Sequence, residues 1–126
     1  MTKENAERLL ATWRTRLMLE DWVIKLKPEA EPDEMPIEGV DGATEWWEPV
    51  KQACIYIQDE KFYGKKLVPF DWEQILVHEL LHIKFSLLDV SDHEDLRHRV
   101  LHQIIDELAR ALVDTKWAGK GESTNE

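Results

Sequence analysis

The stretch from Trp72 to Leu88 constrains this chain most strongly. Ile75, Leu76, Val77, Leu80, Leu81, Ile83, Phe85, Leu87 and Leu88 put apolar side chains on nearly every side of a helix. A helix without a polar face must be wrapped by the rest of the fold. Yet His78, Glu79 and His82 lie inside the same stretch. Burying two imidazoles and a carboxylate is costly unless something satisfies them. The start of the helix is well marked. Asp71 is a natural N-cap, Gln74 three residues later completes a capping box, and Phe70 is placed to staple onto Ile75.

Within this helix His78-Glu79-Leu80-Leu81-His82 has histidines at i and i+4, which share one face and reach one ion. Zinc accepts imidazole nitrogen and prefers tetrahedral coordination. Glu79 lies one step round the helix, where it meets a metal-held water without being a ligand, as a general base must. The competing reading is a pair of core histidines bonded to backbone or carboxylate. The intervening glutamate and the capped, apolar helix favour the metal.

A third ligand is expected from the next helix. Asp89-Val-Ser-Asp92 reads as a turn, Ser91 with Glu94 repeats the capping-box pattern, and Val100, Leu101, Ile104, Ile105, Leu108, Ala111 and Leu112 give a wide apolar face. If the turn centres near residue 90 and the helices run antiparallel, His82 faces about position 98 and His78 about position 102. His98 and His102 occupy those positions and border the apolar arc near Ile105 and Ala109. Glu107 falls on the polar side with Gln103, Arg110 and Asp114, Glu94 is used by the cap, and His93 sits at the helix start. On these residues alone His98 and His102 both stand, against a solvated flank as the plain alternative.

The remainder reads as one α+β domain over 1–115, with 116–126 a flexible tail. Residues 4–19 form an amphipathic helix through Leu9, Leu10, Trp13 and Leu17. Trp22–Lys27 alternates as a strand that Pro28 ends, and Val50–Gln58 alternates as a better one, with Ala53, Ile55 and Ile57 on one face. Trp13, Trp22 and Trp72 look like core, and Trp46-Trp47 like packing on the sheet, with a cover over the active cleft as the alternative. Tyr56 and Tyr63 read as packing or rim, with an oxyanion donor as the sharper alternative. The net charge of −10 argues against nucleic acid and anionic membranes as partners. Most of it is local: residues 29–48 hold eight acids and no Lys or Arg, so this proline-bearing segment is expected to be a solvated loop with at most a short strand at 44–48. If it borders the cleft, basic peptides are the expected substrates. A single cysteine, Cys54, excludes an internal disulfide, and no apolar run approaches a bilayer span, so a reduced, cytoplasmic protein is expected.

The buried HExxH helix, the turn and the second ligand-bearing helix resemble the zincin metallopeptidases, in particular the gluzincins. The resemblance covers about residues 71–113. It implies a compact zincin-like α+β domain with an N-terminal helix and a small antiparallel or mixed sheet. Its active helix is followed by an antiparallel ligand helix. It also implies Zn2+ as cofactor, a peptide or protein substrate, and Glu79 as general base. In compact gluzincins the third ligand follows the second motif histidine by about twenty positions, a place taken here by His102. A carboxylate one turn further on, here Asp106, orients the first histidine. The family usually has Glu where this chain has His102; a His ligand also occurs in SprT-like zincins at another spacing. The metzincin pattern is absent, because Leu88 stands six residues after His82. Val77–Ile83 and Leu108–Val113 are also similar to small metallopeptidase-like proteins encoded by phages and prophages. In zincins the strand before the active helix is often an edge strand that binds extended substrate, a role implied for Val50–Gln58. The rival expectation is a zinc-binding regulatory or interaction module that keeps the fold and cleaves nothing.

Overall fold

The computed structural model describes residues 1–88, 92 and 94–124, with side chains as far as 118. Helix α1 (Lys3–Arg16) is followed by strands β1 (Val23–Ala30), β2 (Gly42–Trp47) and β3 (Gln52–Gln58), then helices α2 (Trp72–Lys84) and α3 (Leu96–Thr124). Short 3-10 turns link them at Pro32–Glu34, Glu48–Val50, Glu60–Phe62 and Ser86–Leu88. The architecture is α+β with a three-stranded mixed sheet in the order β1-β3-β2, β1 parallel and β2 antiparallel to β3. No described helix is long and apolar enough to cross a membrane.

The core follows from the periodicities. Thr2 caps α1 by accepting the Asn5 N–H, and the helix buries Ala6, Leu10 and Trp13. Alternation in β3 sends Ala53, Ile55 and Ile57 inward against Leu76, Val77, Leu80 and Ile83 of α2. Each buried Val, Leu or Ile among these contributes about 1.5–3 kcal/mol. Trp22 and Trp72 join this core as expected. Asp71 caps α2 by accepting the Gln74 N–H at 3.0 Å.

Several expectations are corrected. Pro28 does not end β1, which continues to Ala30 with a register shift between Lys27 and Ala30. An edge strand tolerates the missing N–H, and the Pro28 carbonyl accepts the Trp72 indole N–H at 2.8 Å. The segment 29–48 is not mostly loop. It holds the end of β1 and all of β2, and Ala30, Met35 and Ala43 form a small second core with Val40 and Tyr56. Its carboxylates meet bases from elsewhere: Glu31 pairs with Lys61, Glu34 with Lys27 and Asp41 with Lys66.

Strand β3 is central rather than an edge, so both of its sides are paired. The residues assigned to substrate binding at 50–58 therefore have no free main-chain edge; the edge strand packed beside α2 is β2.

Helix α2 ends at Lys84, and Leu87 and Leu88 in the following turn are 84% and 68% exposed, so the apolar run is buried only within the helix proper. The expected turn and its Ser91 cap fall largely outside the described residues, as does His93. Helix α3 starts at Leu96, later than the Ser91–Glu94 capping pattern implies, and runs on through 116–124, the stretch assigned to a tail. Lys116 and Trp117 dock there on Glu73 of α2.

Candidate metal centre

Side-by-side packing of α2 and α3 brings His78, His82 and His102 together. One ring nitrogen from each lies within 4.8 Å of the other two. The Nε2 atoms of His78 and His82 are 3.3 Å apart. A tetrahedral zinc with Zn–N bonds of about 2.0–2.1 Å requires nitrogens about 3.3–3.4 Å apart. Donor chemistry and spacing therefore suit zinc, and three protein ligands leave a fourth position open.

The surroundings hold the rings in place. His78 Nδ1 is 3.5 Å from Asp106 Oδ1, and Asp106 Oδ2 accepts from the Arg110 guanidinium at 2.8 Å. Burial lowers the pKa of His78 and the neighbouring His102 adds to this, while Asp106 opposes both. The neutral imidazole favoured by burial is the form that ligates. The His82 ring stacks on Trp46 of β2 with centroids 6.5 Å apart.

Glu79 is 6% exposed. Its Oε1 accepts the Thr44 hydroxyl at 2.7 Å. Burial raises its pKa to about 7 against the opposing pull of that bond. Gly42 makes room for this carboxylate. A Cβ at Gly42 would stand 2.7 Å from Ile75 Cγ2 and 3.0 Å from Glu79 Oε2. A strand glycine commonly marks such a close approach.

The three histidines and Glu79 line one cleft of about 750 Å³ between β2, α2, α3 and the loop before α2. His98 also lines it, but its ring lies 6.2 Å from that of His102 and it is not one of the three converging donors. Glu94 and Glu107 are exposed. Tyr63 lines the cleft and donates its hydroxyl to the Val68 carbonyl at 2.6 Å. Tyr56 belongs to the other face of the sheet, where its hydroxyl donates to Glu45 at 2.9 Å; that bond, then burial, raises its pKa. Trp46 packs on the core as expected and is also a wall of the cleft, whereas Trp47 is 50% exposed and does not join the core.

Sequence reasoning missed Thr44, Gly42 and Arg110. Alternation from Gly42 through Thr44 to Trp46, with the glycine as a marker of close approach, was the available signal.

A second buried carboxylate lies six residues before Glu79. Glu73 accepts the Trp13 indole N–H at 2.6 Å, the Trp117 indole N–H at 2.7 Å and the Lys116 ammonium. Burial pushes its pKa up, but Lys116 and the two indoles outweigh that and hold it below the usual carboxylate value. No family model matches the chain, and no curated protein or solved structure matches it.

Proposed function

We propose that the chain is a zinc-dependent peptidase of the zincin kind, with His78, His82 and His102 as ligands and Glu79 as general base. The observation that carries this reading is the meeting of three imidazole nitrogens beside a buried, weakly satisfied carboxylate in one open cleft. Zinc, when bound, supplies Lewis-acid polarisation of a peptide carbonyl and makes water more acidic. Glu79 takes the proton of the attacking water and passes it to the leaving amine, a task suited to a carboxylate whose pKa is close to neutrality. Thr44 orients the Glu79 carboxylate, and Asp106 fixes the His78 ring through Nδ1. Strand β2, at the sheet edge beside the cleft, offers main-chain hydrogen bonds to an extended peptide.

The test is zinc per chain in the wild type and in His82→Ala, followed by peptide hydrolysis with wild type and Glu79→Gln. We expect one zinc per wild-type chain, its loss in His82→Ala, and hydrolysis that Glu79→Gln abolishes. Absence of stoichiometric zinc from wild type would end this reading. Stoichiometric zinc without Glu79-dependent hydrolysis would leave a zinc-binding module that cleaves nothing.

A further inference from the structure

The cleft has two unlike ends. One carries the three converging histidines and Trp46. The other lies at the start of α2, where Ile37, Val40, Tyr63, Val68 and Ile75 line it with apolar surface. Ile37 and Val68 are each 53% exposed there, and an ion pair between Asp41 and Lys66 ties together the two loops that carry them. Apolar surface left open inside a cleft is the usual mark of a ligand site.

A cation stands at this apolar end. Helices α2 and α3 are pinned together at His78–Asp106 and again at Glu73–Lys116, so Arg110 lies between the pins, about level with Ile75. Its side chain is 51% exposed and lines the cleft. Arg110 Nη2 donates to Asp106 Oδ2 at 2.8 Å, while Asp106 Oδ1 faces His78. The other guanidinium nitrogens meet no partner among the described residues. A guanidinium has five N–H donors in a planar fork that matches a carboxylate. The acids nearby are already engaged: Asp41 pairs with Lys66, and Asp71 caps α2. Asp41 is also the one acid of residues 29–48 that lines the cleft, so the acidic segment does not favour a basic side chain here.

The sheet edge gives a bound peptide its direction. Gln58 N–H donates to the Asp41 carbonyl at 2.8 Å, and the register pairs Gly42 with Ile57 and Thr44 with Ile55. Residues 41, 43 and 45 therefore turn their main-chain groups toward β3, and Gly42, Thr44 and Trp46 turn theirs to the free edge. A peptide antiparallel to β2 runs from Trp46 toward Gly42 and brings its C-terminus to Arg110. A parallel peptide would bring an ammonium there, against a like charge.

We propose that this end of the cleft binds the C-terminus of a peptide, with Arg110 holding the free carboxylate and Ile37, Val40, Val68 and Ile75 receiving the apolar side chain of the last residue. One hydrogen bond and about two extended residues, at roughly 3.3–3.6 Å each, span the path from Arg110 past Asp106 to His78. The substrate class rests on the peptidase reading: water gives its hydroxyl to the acyl carbon and a proton to the amine, and a C-terminal fragment of one or two residues leaves.

Binding is tested by NMR titration of the metal-free full chain, where a carboxylate has no zinc to meet, with N-acetyl-leucine, N-acetyl-leucinamide and N-acetyl-aspartate. Wild type should bind N-acetyl-leucine at least about tenfold more tightly than either of the others, the scale of one charge-assisted hydrogen bond. Arg110→Gln should bring the acid-to-amide ratio close to one, and Arg110→Lys should restore part of it. Asp106→Asn loosens the same hydrogen-bond chain but keeps the guanidinium, so the preference should persist. On the zinc-loaded chain, a peptide ending in Leu should be cleaved faster with a free than with an amidated terminus, and Arg110→Gln should shrink that ratio. Equal binding of acid and amide by wild type would overturn the proposal. So would a preference that survives Arg110→Gln or disappears in Asp106→Asn. An acid preference on a chain that cleaves neither peptide would support the carboxylate site and count against the peptidase reading alone.

Discussion

Two glutamates on the same helix, six residues apart, are both buried and have opposite fates. Glu73 is met by an ammonium and two indole N–H groups, which hold it ionised. Glu79 has one hydroxyl partner and titrates near neutrality. Burial raises both pKa values; the number and charge of the donors decide the outcome. Glu73 joins α1, α2 and the end of α3, and its charge is spent on that junction. Glu79 sits at the cleft with a proton affinity still free to be used.

The largest effect that sharpens this contrast is chemical. Glu79→Gln should lower the hydrolytic rate by about 10²–10⁴-fold, with zinc content close to wild type and no loss of melting temperature. Glu73→Gln should do the reverse: activity per folded molecule is kept, while urea denaturation reports a loss of about 3–5 kcal/mol, because Lys116 is left buried without its counter-charge. Inactive but fully stable Glu73→Gln would break the comparison.

The two residues also predict opposite pH slopes for the metal-free protein. The folded pKa of Glu73 is lowered, so its contribution is present above the unfolded value and lost as pH falls through the folded one. Glu79 is raised from 4.5 to about 7, so the folded state holds its proton more tightly and stability falls as pH rises between those values. Integrated over that interval the loss is up to roughly 3 kcal/mol. Urea unfolding across pH should show the Glu79 slope vanish in Glu79→Gln and the acid limb flatten in Glu73→Gln.

The smallest expected effect concerns the pocket of Glu79. Gly42→Ala forces a methyl against Ile75 and the carboxylate, and should cost about 1–3 kcal/mol together with part of the activity. Thr44→Val removes the bond that lowers the Glu79 pKa, so the rising limb of the pH–rate profile should move to higher pH. An unmoved limb would detach Thr44 from the chemistry.

Legibility in the sequence followed the range of the interactions. His78, Glu79, His82 and His102 could be placed together because helical period and antiparallel register are short-range rules. The same reasoning kept His98 open, since only side-chain placement separates it from His102 by one turn. Strand β2 was legible only in part, as a short strand at 44–48, because Glu45 and Glu48 made its segment look solvated while its inward face held only Gly42, Thr44 and Trp46. The centrality of β3 was unreadable, because strand order depends on partners remote in sequence. The Glu73 junction was missed for a related reason: Lys116 and Trp117 lie 43 and 44 residues from Glu73, in a stretch whose small and polar composition suggested a tail.

The position of β3 also fixes an order of events in time. Its antiparallel partner β2 is joined to it by the short turn Glu48–Val50, closed by Lys51 in the left-handed region at φ 51°. Its parallel partner β1 pairs Val23 with Gln52 and must close a loop enclosing the whole hairpin arm. Local hairpins form in microseconds, and long-range parallel pairings are slower. The strand that lines the cleft is thus assembled early, and the completion of the sheet waits on β1.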